Sequence, residues 1–258
     1  MLDKSKITQN TKQYHIAVGP GEIGRYVLLP GDPARCDMVA KYLENASLVA
    51  FHREHKTYTG FYKGVKISVT STGMGCPSAA IAAEELIHIG AEVLIRIGSC
   101  GAITDKAQIG DLMITTAAMK NEGTSKFYVP ECFPAVADFS LTELLLSTAN
   151  KHSQGNGWQV HYGITATDDA FYGESPEWIS SLHALKVMNV DMESSALFTI
   201  GHLREVHTAT INAVSGNLTN ADVIYTERNI GLEDGWDNEI KVALETIVCW
   251  DELRKDRN

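Results

Sequence analysis

No stretch of the chain approaches the roughly 20 apolar residues needed to cross a bilayer, so no membrane-spanning helix is expected. The first segment, MLDKSKITQNTKQYH, is polar and lacks the apolar core of a signal peptide. Cysteine is scarce and odd in number, with five residues at 36, 76, 100, 132 and 249 and no CxxC pair. That argues against a disulfide framework or a zinc site and suits free thiols in a reducing compartment. The expected location is the cytoplasm. Positive charge is in deficit, 22 Lys and Arg against 32 Asp and Glu, for a formal net charge of −10. Such a chain repels phosphates at long range, which disfavours non-specific binding to nucleic acid. Any anion it binds must be held by well-placed arginines and backbone amides. Low-complexity runs, long linkers and internal repeats are also missing, so residues 1–258 are read as one domain. Ordinary hydrophobic (44%) and charged (21%) contents do not suggest disorder.

Short apolar runs bounded by turn residues predict strands at Tyr26–Leu29, Leu48–Phe51, Lys66–Thr70, Val93–Gly98, Leu112–Ala117, His161–Ala166 and Thr208–Val214. Helical spacing predicts helices over Pro33–Leu43, Pro77–Ile89, Ser140–His152, Ser194–Glu205 and Asp237–Arg254. Pro33 and Pro77 suit the first turn of their helices. Tyr58–Tyr62 and Lys66–Thr70 read as a hairpin through Lys63-Gly64. The alternation implies an α/β fold with a sheet covered on both faces and a site at strand carboxyl ends. Three loaded segments fall there: Pro30-Gly31-Asp32-Pro33, Thr72-Gly73-Met74-Gly75 and Gly98-Ser99-Cys100-Gly101.

A glycine turn feeding a helix offers free N–H groups to an anion, and Arg35 lies one turn inside that helix. The plainer alternative is a loop capped by Asp32. Arg96 interrupts an apolar strand, where a guanidinium needs an anionic partner. That partner is either a buried carboxylate such as Glu84 or Glu85, or a bound phosphate or carboxylate reached also by Ser99. Arg53, taken alone, reads as a surface charge. The segment Val190-Asp191-Met192-Glu193-Ser194 opens a helix, so its carboxylates either grip a sugar diol or meet the helix dipole. His15 reads equally well as a surface residue, and Phe171-Tyr172 either stacks on a flat ring or joins the core.

Taken together, these segments resemble the nucleoside phosphorylase family that includes uridine phosphorylase and the hexameric purine nucleoside phosphorylases. The likeness runs from about Tyr14 to the last helix. Its anchors are Pro-Gly-Asp-Pro-x-Arg at 30–35, His-Arg-Glu at 52–54, Ser-Thr-Gly-Met-Gly-x-Pro-Ser at 71–78 and Arg-Ile-Gly-Ser-Cys-Gly at 96–101. Phe-Pro-Ala-Val-Ala-Asp at 133–138, Asp-Ala-Phe-Tyr at 169–172 and Met-Glu-Ser at 192–194 complete the series. The resemblance implies a single α/β domain whose central, mixed, twisted β-sheet is flanked by helices on both faces. It implies phosphate binding by Gly31, Arg35, Arg96 and Ser99, with Arg53 lent by a neighbouring subunit. Met192 and Glu193 match the ribose pair, and His15, also lent across a dimer, matches the histidine that meets the 5′-hydroxyl. Cys100, Gly101, Phe171, Ser215 and Gly216 fall where the base is held. Glu54, Met74 and Ser78 match positions that hold a monovalent cation, K+, at the dimer interface of uridine phosphorylases. Arg96 and Glu193 are the residues expected to carry the catalysis. The implied reaction splits a nucleoside with inorganic phosphate into free base and ribose 1-phosphate. It needs no cofactor, and a homo-oligomer with a dimer as minimal unit, most readily a hexamer, is implied.

Two features of the base site pull apart. Purine members usually carry Ser-Asp after the late strand, whereas this chain reads Val214-Ser215-Gly216-Asn217, and a glycine cannot donate a proton. Gly24-Arg25-Tyr26-Val27 and Glu122-Gly123-Thr124-Ser125 also have the pyrimidine flavour, so uridine is the favoured substrate. Against this, only 20 positions separate Phe171 from Asp191, a purine-like spacing. The loop Gly173-Glu174-Ser175-Pro176-Glu177 lacks the Gln and Arg that read uracil, and Asp168 or Asp169 is a candidate substitute acid. The alternatives are a purine nucleoside phosphorylase, a nucleosidase that uses water, and a non-catalytic nucleoside-binding protein.

Overall fold

The computed structural model describes residues 11–220, 222–223 and 230–255. Residues 1–10 of the polar N-terminal stretch lie outside them. The strands are β1 (Tyr26–Leu29), β2 (Glu44–His52), β3 (His55–Tyr62), β4 (Val65–Thr70), β5 (Val93–Ala102), β6 (Leu112–Asn121), β7 (Ala135–Val136), β8 (Val160–Asp168), β9 (Asn189–Asp191), β10 (His207–Asn217) and β11 (Asp222–Val223). The helices are α1 (Pro33–Ala40), α2 (Cys76–His88), α3 (Phe139–Ser153), α4 (Pro176–Ala184), α5 (Ser194–Leu203) and α6 (Ile230–Lys255).

Among the described residues the strands form one mixed sheet in the order β11-β10-β6-β8-β9-β5-β1-β4-β3-β2, with β7 on β6. A further pairing of β10 with β5 closes β5, β10, β6, β8 and β9 into a ring. Parallel pairs (β1 with β4 and β5, β5 with β10, β6 with β8) coexist with antiparallel ones (β2 with β3, β3 with β4, β6 with β10).

Both faces of β1 are buried, and its side chains alternate between two apolar layers, as the pleat requires. Tyr26 and Leu28 join α1, α3 and α6 through Val39, Leu145 and Leu244. Val27 and Leu29 join α2 and α5 through Leu86 and Ile200. Each such fully buried side chain contributes about 1.5–3 kcal/mol, which fixes the helices on the sheet and thereby the loops at its edge.

The expected hairpin forms, with Lys63 and Gly64 both at positive φ (49° and 79°) between β3 and β4. Other boundaries move. The Gly98-Ser99-Cys100-Gly101 segment, read above as following its strand, lies inside β5, because β10 and β9 pair with it as far as Ala102. The helix read as Pro33–Leu43 stops at Ala40, after which i→i−3 bonds tighten the chain into β2. Four elements were not read from the pattern, the short strands β7, β9 and β11 and the helix α4, although Ser175 and Pro176 give α4 an ordinary N-cap and first turn.

Candidate active site

At the end of β1 the backbone of Pro30-Gly31 is zipped to the loop after β4, with Thr72 N donating to Pro30 O (2.8 Å) and Gly73 N to Gly31 O (3.0 Å). A Cβ on Gly31 would lie 3.3 Å from Gly73 O, so glycine permits this approach. The capping alternative holds, and Arg35 lies where the anion reading needs it. Asp32 caps α1 by accepting from Ala34 N (2.8 Å), and Arg35 turns inward. Arg35 is buried, with its guanidinium over the Trp236 ring at 5.3 Å and Nη1 3.4 Å from both Ile97 O and Glu239 Oε1.

Arg96 is 5% exposed, and its partners differ from the acids considered above. Glu84 pairs with Arg204 and Glu85 with His15. Arg96 instead meets Glu193 through Nη2, and its Nε lies 3.5 Å from Asp191 Oδ2. Burial opposes its charge, but Glu193 and Asp191 more than offset this and raise its pKa. Among the described residues, Nε and Nη1 of Arg96 are buried and make no hydrogen bond. With Nε held in the Asp191 ion pair, Nη1 is the nitrogen that has no hydrogen bond, on a residue that lines the cavity described below. Nearby, Ser99 Oγ accepts from Trp236 Nε1 (2.8 Å), which leaves its own hydroxyl proton free to donate.

The helix-opening carboxylates divide their work. Asp191 takes the capping role, accepting from Ser194 N (3.2 Å), Ser194 Oγ (2.5 Å) and Thr167 Oγ1 (2.8 Å). Glu193 makes no cap bond within α5. It accepts from Gly75 N (2.7 Å) and Met192 N (3.2 Å) and faces Arg96. Burial raises its pKa, against the pull of Arg96.

These groups share one cavity of about 670 Å³. Gly31, Arg35, Arg96 and Ser99 line it, as do Met192 and Glu193. Cys100, Gly101, Phe171, Ser215 and Gly216 line it too. Phe171 is 43% exposed and Tyr172 99%, so the aromatic pair is not core. Glu174, passed over in the sequence, also lines the cavity, and burial together with Asp168 pushes its carboxyl up to about 7. Its signal was weak: one acid in a polar loop. Asp168 and Asp169 do not line the cavity. Asp168 accepts from Asn121 Nδ2 and Trp178 Nε1 (both 2.8 Å), and Asp169 from Gly123 N (2.8 Å).

Two predicted residues stay outside this cavity. The imidazole of His15 lies 2.6 Å from Glu85 Oε1, and Arg53, at φ 56° in the β2–β3 turn, stacks over Tyr14. Glu54, Met74 and Ser78 do line the cavity, with Ser78 Oγ donating to Glu54 Oε1 (2.7 Å) and Met74 83% exposed.

Residues 25–233 match the family profile described as "Phosphorylase superfamily". The chain is 45% identical over 223 residues to the uridine phosphorylase of Thermococcus kodakarensis, covering 81% of this chain and 79% of that protein. It is 38% identical over 208 residues to the guanosine phosphorylase of Halorubrum lacusprofundi, covering 80% and 84%. Its fold matches the crystal structure of uridine phosphorylase from Vibrio fischeri with a TM-score of 0.82 at 34% identity, over 91% of this chain and 96% of that one. A profile spanning most of the residues and relatives of this closeness leave one conclusion: the chain belongs to the phosphorylase superfamily.

Proposed function

We propose that this protein is a nucleoside phosphorylase acting as a single cytoplasmic domain over residues 1–258, with uridine the leading substrate. The observation that carries the reading is Arg96, buried beside Glu193 and Asp191 with Nη1 lacking a hydrogen bond, and Arg35 and Ser99 lining the same cavity. A phosphate dianion completes those donors and is held beneath the anomeric carbon, while Glu193 orients the ribose hydroxyls. The C1′–N bond breaks as the C1′–O bond to phosphate forms, through a sugar with oxocarbenium character. Catalysis is then positioning and electrostatics, with no cofactor. The base departs as an anion or with a proton. Gly216 supplies none, which favours a pyrimidine, and Glu174 is a titratable carboxyl that lines the cavity with Phe171.

His15 and Arg53 lie off the cavity of their own chain, in keeping with a dimer in which each copy lends them to the other. A hexamer assembled from such dimers, and K+ held by paired copies of Glu54, Met74 and Ser78, belong to the same proposal. One chain offers only the Glu54 carboxylate and the Ser78 hydroxyl as hard side-chain oxygens there.

A purine is the second reading. The cavity shares Phe171, Glu174 and Leu218 with a neighbouring space of about 880 Å³, so the base end is open. The Halorubrum relative is a guanosine phosphorylase. Purified protein supplied with phosphate and uridine, thymidine, inosine or guanosine decides between them. Uridine is expected to turn over fastest with ribose 1-phosphate as product. Faster purine turnover reverses the substrate, and base release undiminished without phosphate makes the protein a nucleosidase.

A further inference from the structure

Behind the arginines lies a carboxylate that neither the sugar nor the phosphate requires. Glu239 projects from α6, is 0% exposed, and is not among the residues lining the cavity. It therefore does not fill the space the co-substrate needs. Its Oε1 lies 3.4 Å from Arg35 Nη1, and its Oε2 accepts from Ala213 N (3.1 Å) on β10. The buried cluster thus holds two cations, Arg35 and Arg96, against three acids, Asp191, Glu193 and Glu239. A dianion added to that set leaves a large uncompensated negative charge in a medium that solvates it poorly, even with one more arginine lent by a partner copy. The cheapest relief is to protonate one of the acids.

Resting on the phosphate-site reading above, we propose that Glu239 is a positioning residue that couples phosphate capture to the uptake of one proton. With the site empty, its carboxylate anchors Arg35. When the HPO4 dianion arrives, Glu239 takes a proton from solvent, becomes a neutral acid, and yields the charge of Arg35 to the phosphate. No bond other than this O–H forms or breaks.

The surroundings of Glu239 support the assignment. Burial pushes its carboxyl up to about 8, with Arg35 and Arg96 pulling the other way, so in the empty site the carboxylate form prevails above about pH 8 and has a proton to gain there. The other titratable group acting there is Cys100 of β5, whose thiol burial holds well above its ordinary range. From β10 comes the Ala213 amide. Helix α3 also packs on α6, but its His152 acts on Glu245, six residues or ~9 Å further along the helix.

The test is titration of the full-length protein with inorganic phosphate between about pH 8 and about pH 9.5, where phosphate is already a dianion. Calorimetry in two buffers of different ionisation enthalpy counts the protons. The wild type is expected to take up about half a proton per phosphate at pH 8, rising to close to one above about pH 9 as the empty site ionises, and its Kd to weaken toward about tenfold per pH unit at the alkaline end. In Glu239→Gln the uptake disappears and Kd stays within about twofold across the range. An anchor without proton coupling would weaken binding equally at every pH, so a parallel shift with the slope retained overturns the proposal. Should the variant not fold, the wild-type proton count still leaves the proposal refutable, because a count of zero overturns it. Phosphate binding without proton uptake overturns the coupling alone, whereas a wild type that binds no phosphate overturns the phosphate site and this inference with it.

Discussion

Replacing Arg96 by lysine separates the charge of this residue from its shape. The guanidinium meets Glu193 with Nη2 and Asp191 with Nε and still has Nη1 without a hydrogen bond, so one side chain can serve two carboxylates and an anion together. An ammonium keeps the charge beside Glu193 but cannot span these partners. Each charge-assisted hydrogen bond contributes about 1.5–3 kcal/mol, and the retained charge offsets part of the loss of two. A net loss of roughly 2–4 kcal/mol corresponds to a phosphate half-saturation raised roughly 30- to 700-fold. Stability should hardly change in Arg96→Lys. In Arg96→Ala, by contrast, Glu193 and Asp191 are buried without a cation, at a cost of about 3–5 kcal/mol. For a chain of this size that is a fall in Tm of roughly 6–20 °C. Initial rates against phosphate at saturating nucleoside, beside thermal melts of both variants, read the two effects separately. Unchanged phosphate saturation in Arg96→Lys would refute the role given to the guanidinium fork.

Three further outcomes test the frame around the site. Gly98→Ala places a Cβ 2.2 Å from Asn212 Oδ1 and 3.0 Å from Arg96 Nη2, so it should cost about 1–3 kcal/mol and weaken phosphate saturation, read by melts and rate curves. Glu174, raised by burial and Asp168 to about 7, is protonated in the fold above its unfolded range, so its contribution to stability is complete below that range and lost as pH rises through about 7. With Glu174 as proton donor to the departing base, an alkaline fall in kcat/KM centred near pH 7 is expected in the wild type and absent in Glu174→Gln. Asp111 feels burial first, yet His161 and the amides of Gln108 and Gln159 pull its pKa down. Its contribution is present above the unfolded carboxyl range and lost as pH falls through the lower folded value; Asp111→Asn should cost about 2–4 kcal/mol in urea at neutral pH and leave phosphate saturation alone.

The parts of the site legible in the sequence were those whose chemistry contradicts their surroundings. Arg96 stood out because a charge in Val93-Leu94-Ile95-Arg96-Ile97 has to be answered, and the strand positions it as read. The answering acid was misjudged. Glu84 and Glu85 are near in sequence on α2, but the fold sends them to Arg204 and His15. Asp191 and Glu193 reach Arg96 because β9 pairs with the far end of β5, and a three-residue strand leaves no periodic trace. Glu239 was invisible for a related reason. In Trp236-Asp237-Asn238-Glu239-Ile240 it looks like one more polar helix residue, and only the packing of α6 on β5 and β10 buries it. Long-range pairing and helix docking, not local propensity, decided what the sequence withheld.

How an anionic chain holds an anion follows from the same geometry. The formal charge of −10 acts at long range and is screened beyond about 8 Å at physiological salt, so it sets the approach and not the grip. Inside the cavity the acids serve the arginines. Glu239 and Ile97 O fix Arg35, and Glu193 with Asp191 fixes Arg96, so neither guanidinium has to be ordered when a ligand arrives. A site built from arginines alone would carry more attraction but would repel itself and collapse onto solvent ions. The carboxylates hold the guanidinium groups in place at the expense of some positive potential. That trade works only for a side chain with more donors than one carboxylate can use, which is why both positions are arginine.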